Sequence, residues 1–238
     1  ISTDPLAVLS WMFAFGADRM PDEPSAAYRL NTPAILEAFT FLQDLFKQGC
    51  AWISRFPEPD QYFAKRQALF YSGTLLDFLL QARVMENAAN KDVWQLLPYP
   101  HESGIPVLVV GGTSLAILQS TPDEQMAAWL FTRWLLNPER LARLDSASGS
   151  FPVRVSSLNY LDAFRRQYPQ WSQAFSWLPW AQPAPRQASW RSARWVIADA
   201  SWNHYNPIIL PTPIPSILEQ AETTIQEILS RPTALPNP

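Results

Sequence analysis

One cysteine, two histidines and seven glycines are all that the 238 residues hold of these three types. Cys50 alone cannot close an intramolecular disulfide, and it has no second thiolate with which to hold a metal. As a lone thiol it reads as a small buried hydrophobe. His101 and His204 stand in no H-x-x-x-H or carboxylate spacing, so no metal or other cofactor is expected. Basic charge is scarce too: 18 Lys and Arg against 21 Asp and Glu leave a net charge of -3 and a pI near 5.4. With no positive field to neutralise phosphates, nucleic acid is not an expected partner. Long apolar runs are also missing. A bilayer span needs about 20 apolar residues, whereas Ile105 to Leu118 is shorter and is broken by Gly111, Gly112, Thr113 and Ser114. The chain opens on Ile1 with no basic region or cleavage pattern ahead of it, and it reads as one part of something longer.

What is abundant is apolar and stiff. Hydrophobic residues make up 47% of the chain, with 11 tryptophans and 23 prolines, enough for one large core or two small ones. The prolines punctuate helices. In "NTPAILEAFTFLQDLFKQG", Asn31 or Thr32 caps, Pro33 opens the first turn, and Ile35, Leu36, Phe39, Leu42, Leu45 and Phe46 recur at helical spacing until Gly49. Thr121 and Glu124 form a capping box around Pro122, with Ala127, Leu130, Phe131, Trp134 and Leu135 expected as a buried stripe. Asn137 and Pro138 start another helix that Gly149 ends. Further helices are expected in "YLDAFRRQYPQWSQAFSWLPWAQP" ahead of its proline-rich stop, in "SWRSARWVIADAS" and in "PSILEQAETTIQEILS", and "NPIILPTPIP" is expected to be extended.

Brief apolar runs, "VWQLLPYP" from Val93 and "SLAILQ" from Ser114, predict strands, and their alternation with helices predicts an α/β fold. Trp11, Phe13 and Phe15 alternate ahead of Gly16, which in a strand would put all three on one face. Gly112-Thr113-Ser114-Leu115-Ala116 falls one residue short of a G-x-S-x-G elbow, and an apolar run rather than a helix follows it, so no catalytic residue is assigned there. Trp190 beside Arg191 and Arg194 offers a stacking plane with charged donors.

The order of the pieces carries more than any one of them. "WMFAFG", "AFTFLQDLFKQG", "YFAKRQALFYSG", "WQLLPYP", "GGTSLAI", "TPDEQMAAWLFTRWLLNPE" and "GSFPVR" succeed one another along nearly the whole chain. That series resembles the extracellular solute-binding proteins of ABC importers, the family of the maltose-binding-protein type. The resemblance implies a type II periplasmic-binding fold, in which two α/β lobes joined by crossing segments close on a small solute. It implies that residues 1–108 and 158–238 belong to the second lobe, that 109–157 reach into the first, and that a substantial N-terminal lobe is missing ahead of the equivalent of Trp11. That lobe would be supplied in trans, or the exposed face would drive self-association.

The implied function is non-enzymatic. The chain would hold a carbohydrate or related polar solute for an ABC permease in the membrane, outside the cell or in the periplasm, the full-length protein being tethered to the membrane. Carried over by position, the ligand contacts would be Trp11, Phe13, Phe15, Ser72, Gly111, Gly112, Thr113, Trp190 and Arg191. The tryptophan that often follows the family's F-x-x-G turn is absent from "SGTLLDF", which argues against a maltose-like solute. A carbohydrate-active hydrolase or accessory sugar-binding module is the alternative that the tryptophan content permits.

Overall fold

A computed structural model describes residues 1–18, 27–53, 58–101, 103–112, 114–205 and 212–230. Along the chain run helices α1 (Pro5–Ala14), α2 (Pro33–Lys47), α3 (Pro59–Ala64) and α4 (Phe78–Asn87), strand β1 (Val109–Val110), helices α5 (Pro122–Leu135), α6 (Pro138–Ser148), α7 (Asp162–Gln167) and α8 (Pro169–Ser176), strand β2 (Gln182–Pro183), and helices α9 (Trp190–Tyr205) and α10 (Ile214–Ser230). Six of the ten α-helices among the described residues open on proline, where an N–H would have no intrahelical partner and the fixed φ already suits the helix. Asp4, Thr32, Thr121 and Asn137 supply side-chain caps to α1, α2, α5 and α6.

The larger core lies where α1, α2, α9 and α10 meet. Leu9 and Met12 from α1, Phe39 from α2, Ile197 from α9 and Leu218 and Ile225 from α10 are almost completely buried in it. Each such side chain contributes about 1.5–3 kcal/mol relative to exposure. The Glu222 carboxylate on α10 accepts the backbone N–H groups of Leu30 and Asn31, the latter at 2.9 Å, and Glu219 takes the Asn31 side chain at 2.8 Å. These bonds fix the approach to α2. At the far end of α9, His204 packs against Phe39 and Tyr205, with ring centroids 6.0 and 4.8 Å away.

A second cluster gathers Phe78 (α4), Ala142 (α6), Leu161 and Trp171 (α8). Trp171 is fully buried, stacks on Phe175 at 5.4 Å, and donates its indole N–H to the Gly149 carbonyl at 3.0 Å. Gly149 ends α6 at φ +78°, and a Cβ there would lie 2.6 Å from the Phe78 ring. This cluster joins residues from all three expected segments.

Several expectations fail for identifiable reasons. Trp11, Phe13 and Phe15 do not alternate along a strand: Asp4 and Pro5 start a helix that runs to Ala14 and ends in the turn holding Phe15. Neither "VWQLLPYP" nor "SLAILQ" forms a strand, and the sheet among the described residues is the parallel pair β1–β2 with an isolated Tyr99–Val107 bridge. No residue of α5 is buried, because among the described residues only α6 packs on it appreciably, and most of its expected core stripe faces water. Cys50 is exposed, just past the Gly49 turn that ends α2. Of "NPIILPTPIP", 206–211 lie outside the described residues.

Two stability predictions follow from this packing. Gly149→Ala combines a left-handed backbone with a clash against Phe78, and we expect a loss of about 2–4 kcal/mol, read as a lower denaturation midpoint with an unchanged slope. Burial, aided by the Lys47 charge, pushes the His204 pKa down to about 4 from 6.5. The folded state therefore binds fewer protons than the unfolded chain between these values, so stability is complete above pH 6.5 and falls as pH drops towards 4. Allowing for its partial exposure, the loss is about 1 kcal/mol, or roughly 2–4 °C in melting temperature. The His204→Gln variant should flatten the slope between pH 6.5 and 5.

Candidate functional site

The first turn of α1 is held rigidly. The Asp4 carboxylate accepts the Leu6 N–H at 2.9 Å and the Ala7 N–H at 3.4 Å, which satisfies donors that a helix start leaves open. Leu6 then lies against the turn that follows β1: a Cβ on Gly111 would sit 3.9 Å from its side chain, and one on Gly112 would meet nothing. Both glycines are exposed. Backbone can be approached closely at this point.

One turn and a half further along α1, the Trp11 ring meets Tyr99 edge-on at 5.1 Å and Phe41 of α2 at 5.8 Å. Phe15 completes the group, 5.4 Å from Phe41 and 6.5 Å from Trp11. Tyr99 is fixed from below by its bridge to Val107, with N–H···O distances of 3.0 and 3.4 Å, and Val107 leads within two residues into β1. Leu6 and Trp11 lie about 140° apart around α1, and the Tyr99–Val107 bridge leading into β1 links their contacts into a wall that wraps the helix.

The polar atoms of this wall lack partners. The Trp11 indole N–H and the Tyr99 hydroxyl are both buried without a hydrogen bond. Ser72 stands close enough to the Tyr99 hydroxyl to act on its acidity, but the pair does not close a bond of ordinary geometry. Burial raises the Tyr99 pKa, the Ser72 hydroxyl opposes that rise, and the Asp4 carboxylate adds to it. A buried donor left unpaired costs about 1–3 kcal/mol. Here two such donors share one aromatic group; Gln81, Asp145, Ser157, Arg194, His204 and Tyr205 carry further buried polar atoms without partners.

The sequence-expected residues divide accordingly. Trp11, Phe15, Ser72, Gly111 and Gly112 belong to the wall or its edge, and Thr113 lies outside the described residues. Phe13 is buried in the larger core, because helical rotation of 100° per residue puts Trp11 and Phe15 on one face and Phe13 on another. Trp190 is also buried there, as the first residue of α9, so its ring is already covered; Arg191 beside it is exposed. Leu6, Phe41 and Tyr99 were not anticipated. The signal for Tyr99 was its place between Pro98 and Pro100, which hold it extended. For Leu6 it was the Asp4-Pro5 helix start.

The model of one family, described as bacterial extracellular solute-binding protein, matches residues 2–174. The chain belongs to that family. Solved structures agree on the fold. The cyclic α-maltosyl-1,6-maltose binding protein from Arthrobacter globiformis matches with a TM-score of 0.74 at 19% identity, over 94% of this chain and 55% of its own. UgpB from Mycobacterium tuberculosis, in complex with glycerophosphocholine, matches with 0.76 at 19% identity, over 97% and 57%. The sugar-binding protein MalE from Xanthomonas citri gives 0.72 at 18%, over 97% and 57%. No curated protein sequence matches significantly. The fold of this solute-binding protein is thus of the type II periplasmic-binding kind, and the chain spans a little over half the length of the structures it matches.

Proposed function

We propose that this chain is the greater part of the binding body of an ABC-importer receptor. It takes a carbohydrate or related polar small molecule without transforming it and passes it to a membrane permease. The full receptor works outside the cell or in the periplasm, tethered to the membrane. Family membership supports the receptor class. The printed ligands of the matched structures, from a cyclic maltosaccharide to glycerophosphocholine, support a polar, hydroxyl-rich solute.

The observation that carries the reading is the wall of Leu6, Trp11, Tyr99, Ser72 and Gly111. An aromatic surface with unpaired donors and an exposed backbone turn is what a sugar needs, since its ring faces are apolar and its edges are hydroxyls. Closure about the β1–β2 crossing would bring the solute against these donors and exclude water.

Calorimetric titration of the full-length receptor with maltotriose, α-D-tagatose and glycerophosphocholine tests this reading. One member should bind with one-to-one stoichiometry and be recovered unchanged. Tyr99→Phe should weaken that binding about 10-fold, the worth of one hydrogen bond, while its melting temperature holds or rises because an unpaired hydroxyl is gone. A consumed ligand would make the protein an enzyme, and an unaltered Kd would remove Tyr99 from the site.

A further inference from the structure

Helices α3 and α4 end in the same unusual way. Just past α3, Arg66 takes a left-handed backbone at φ +59°, and just past α4, Ala89 does so at φ +51°. A side chain with a Cβ resists that conformation. The two turns hold each other. The Arg66 guanidinium reaches Asp92 as a fork, Nε to Oδ2 at 2.6 Å and Nη2 to Oδ1 at 2.9 Å. Beside it the Asn90 side-chain amide donates to the Ala64 carbonyl at 2.7 Å and accepts the Asp92 N–H at 2.8 Å. The Arg66 and Asp92 side chains are 70% and 48% accessible, so the pair is a weak source of stability. What a planar fork on a carboxylate does supply is a fixed geometry.

What leaves this clamp is the candidate site. Six residues lead from Arg66 to Ser72 and seven from Asp92 to Tyr99, at most about 20 and 24 Å of chain. The Phe63 ring packs on a residue of each segment, Tyr71 at 5.8 Å and Trp94 at 6.5 Å. Yet neither segment is a strand, and no backbone hydrogen bond joins one to the other. Their far ends are secured separately. Beyond Ser72 the Thr74 N–H donates to the Asp77 carboxylate at 2.6 Å, and Tyr99 bridges to Val107. The Gln170 amide donates to the Trp94 carbonyl at 3.3 Å, which ties the second segment to α8 and not to the first. Among the described residues, then, the polar link that sets one segment against the other away from the wall is the clamp.

We propose that Arg66, Asp92 and Asn90 are positioning residues for the solute site: by fixing where the two segments start, they set the Ser72 hydroxyl against the Tyr99 hydroxyl. This rests on the function proposed above. The clamp acts through the segments, and its charged side chains are no part of the wall.

Charge reversal tests this in the full-length receptor labelled with carbon-13 at tyrosine Cζ, the Tyr99 signal being the one lost in Tyr99→Phe. Arg66→Asp sets like charges against each other while aspartate tolerates the left-handed backbone; Asp92→Arg does the same with positive charge. Without solute, each single reversal should move the Tyr99 signal, and the double reversal should return it. Arg66→Lys keeps the charge but loses the fork, so it should move the signal the same way by less, even if a reversal fails to fold. A Tyr99 signal unmoved by all three single variants would overturn the proposal, whether or not any solute binds. With a solute that binds, each single reversal should raise Kd about 5-fold, and the double reversal should restore it to within about 2-fold. In a Tyr99→Phe background, with no hydroxyl left to place, the same reversals should keep Kd within about 2-fold. An equal loss in that background would make the clamp a staple of the fold and remove it from the site.

Discussion

Two hydrogen bonds fix where the chain crosses itself. The Gln182 N–H donates to the Leu108 carbonyl at 2.9 Å and the Ala184 N–H to the Val110 carbonyl at 2.8 Å, pairing β1 with β2 in parallel. Parallel partners need a long connection, and here everything from Gly111 to Ala181 is that connection. The chain leaves the pair, builds α5 to α8, and returns to it. The pair is only two residues long on each side and marks where the segments cross; under the proposed function it is the axis of closure.

The two cores divide the labour on this frame. The cluster of α1, α2, α9 and α10 is aliphatic at its centre and holds α1 rigid, so that Leu6 and Trp11 are presented from a fixed helix. The second cluster is an aromatic nest around Trp171, locked by its bond to the Gly149 carbonyl. Between α1 and the β1 turn the Trp11 indole and Tyr99 phenol donors are left unpaired, as are buried polar atoms of Gln81, Asp145, Ser157, Arg194, His204 and Tyr205 elsewhere. What sets the first two apart is that they share one aromatic group close to an exposed glycine turn.

Helix positions were legible because their determinants are local. Thr121, Pro122 and Glu124 specify the start of α5, and Asn137, Pro138 and Gly149 bound α6, each through bonds within a few residues. The same logic, applied to Asp4 and Pro5, predicts α1; alternation of Trp11, Phe13 and Phe15 pointed the other way and lost to the cap. Burial was less legible. Leu130 and Trp134 have the spacing of core residues, but whether a layer covers them depends on chain remote from α5. The candidate site was partly legible: Trp11 and Phe15 share one aromatic group, whereas Tyr99 and Phe41 join them through a bridge and a helix contact that no short motif encodes.

The account stands or falls on the β1–β2 crossing acting as a hinge. Small-angle X-ray scattering of the full-length receptor, with and without a saturating solute, reads this directly. Closure about the crossing predicts a smaller radius of gyration and a more compact profile when the solute is bound. Identical profiles at full occupancy would mean that the crossing is a rigid strut and that the solute is held by some other means.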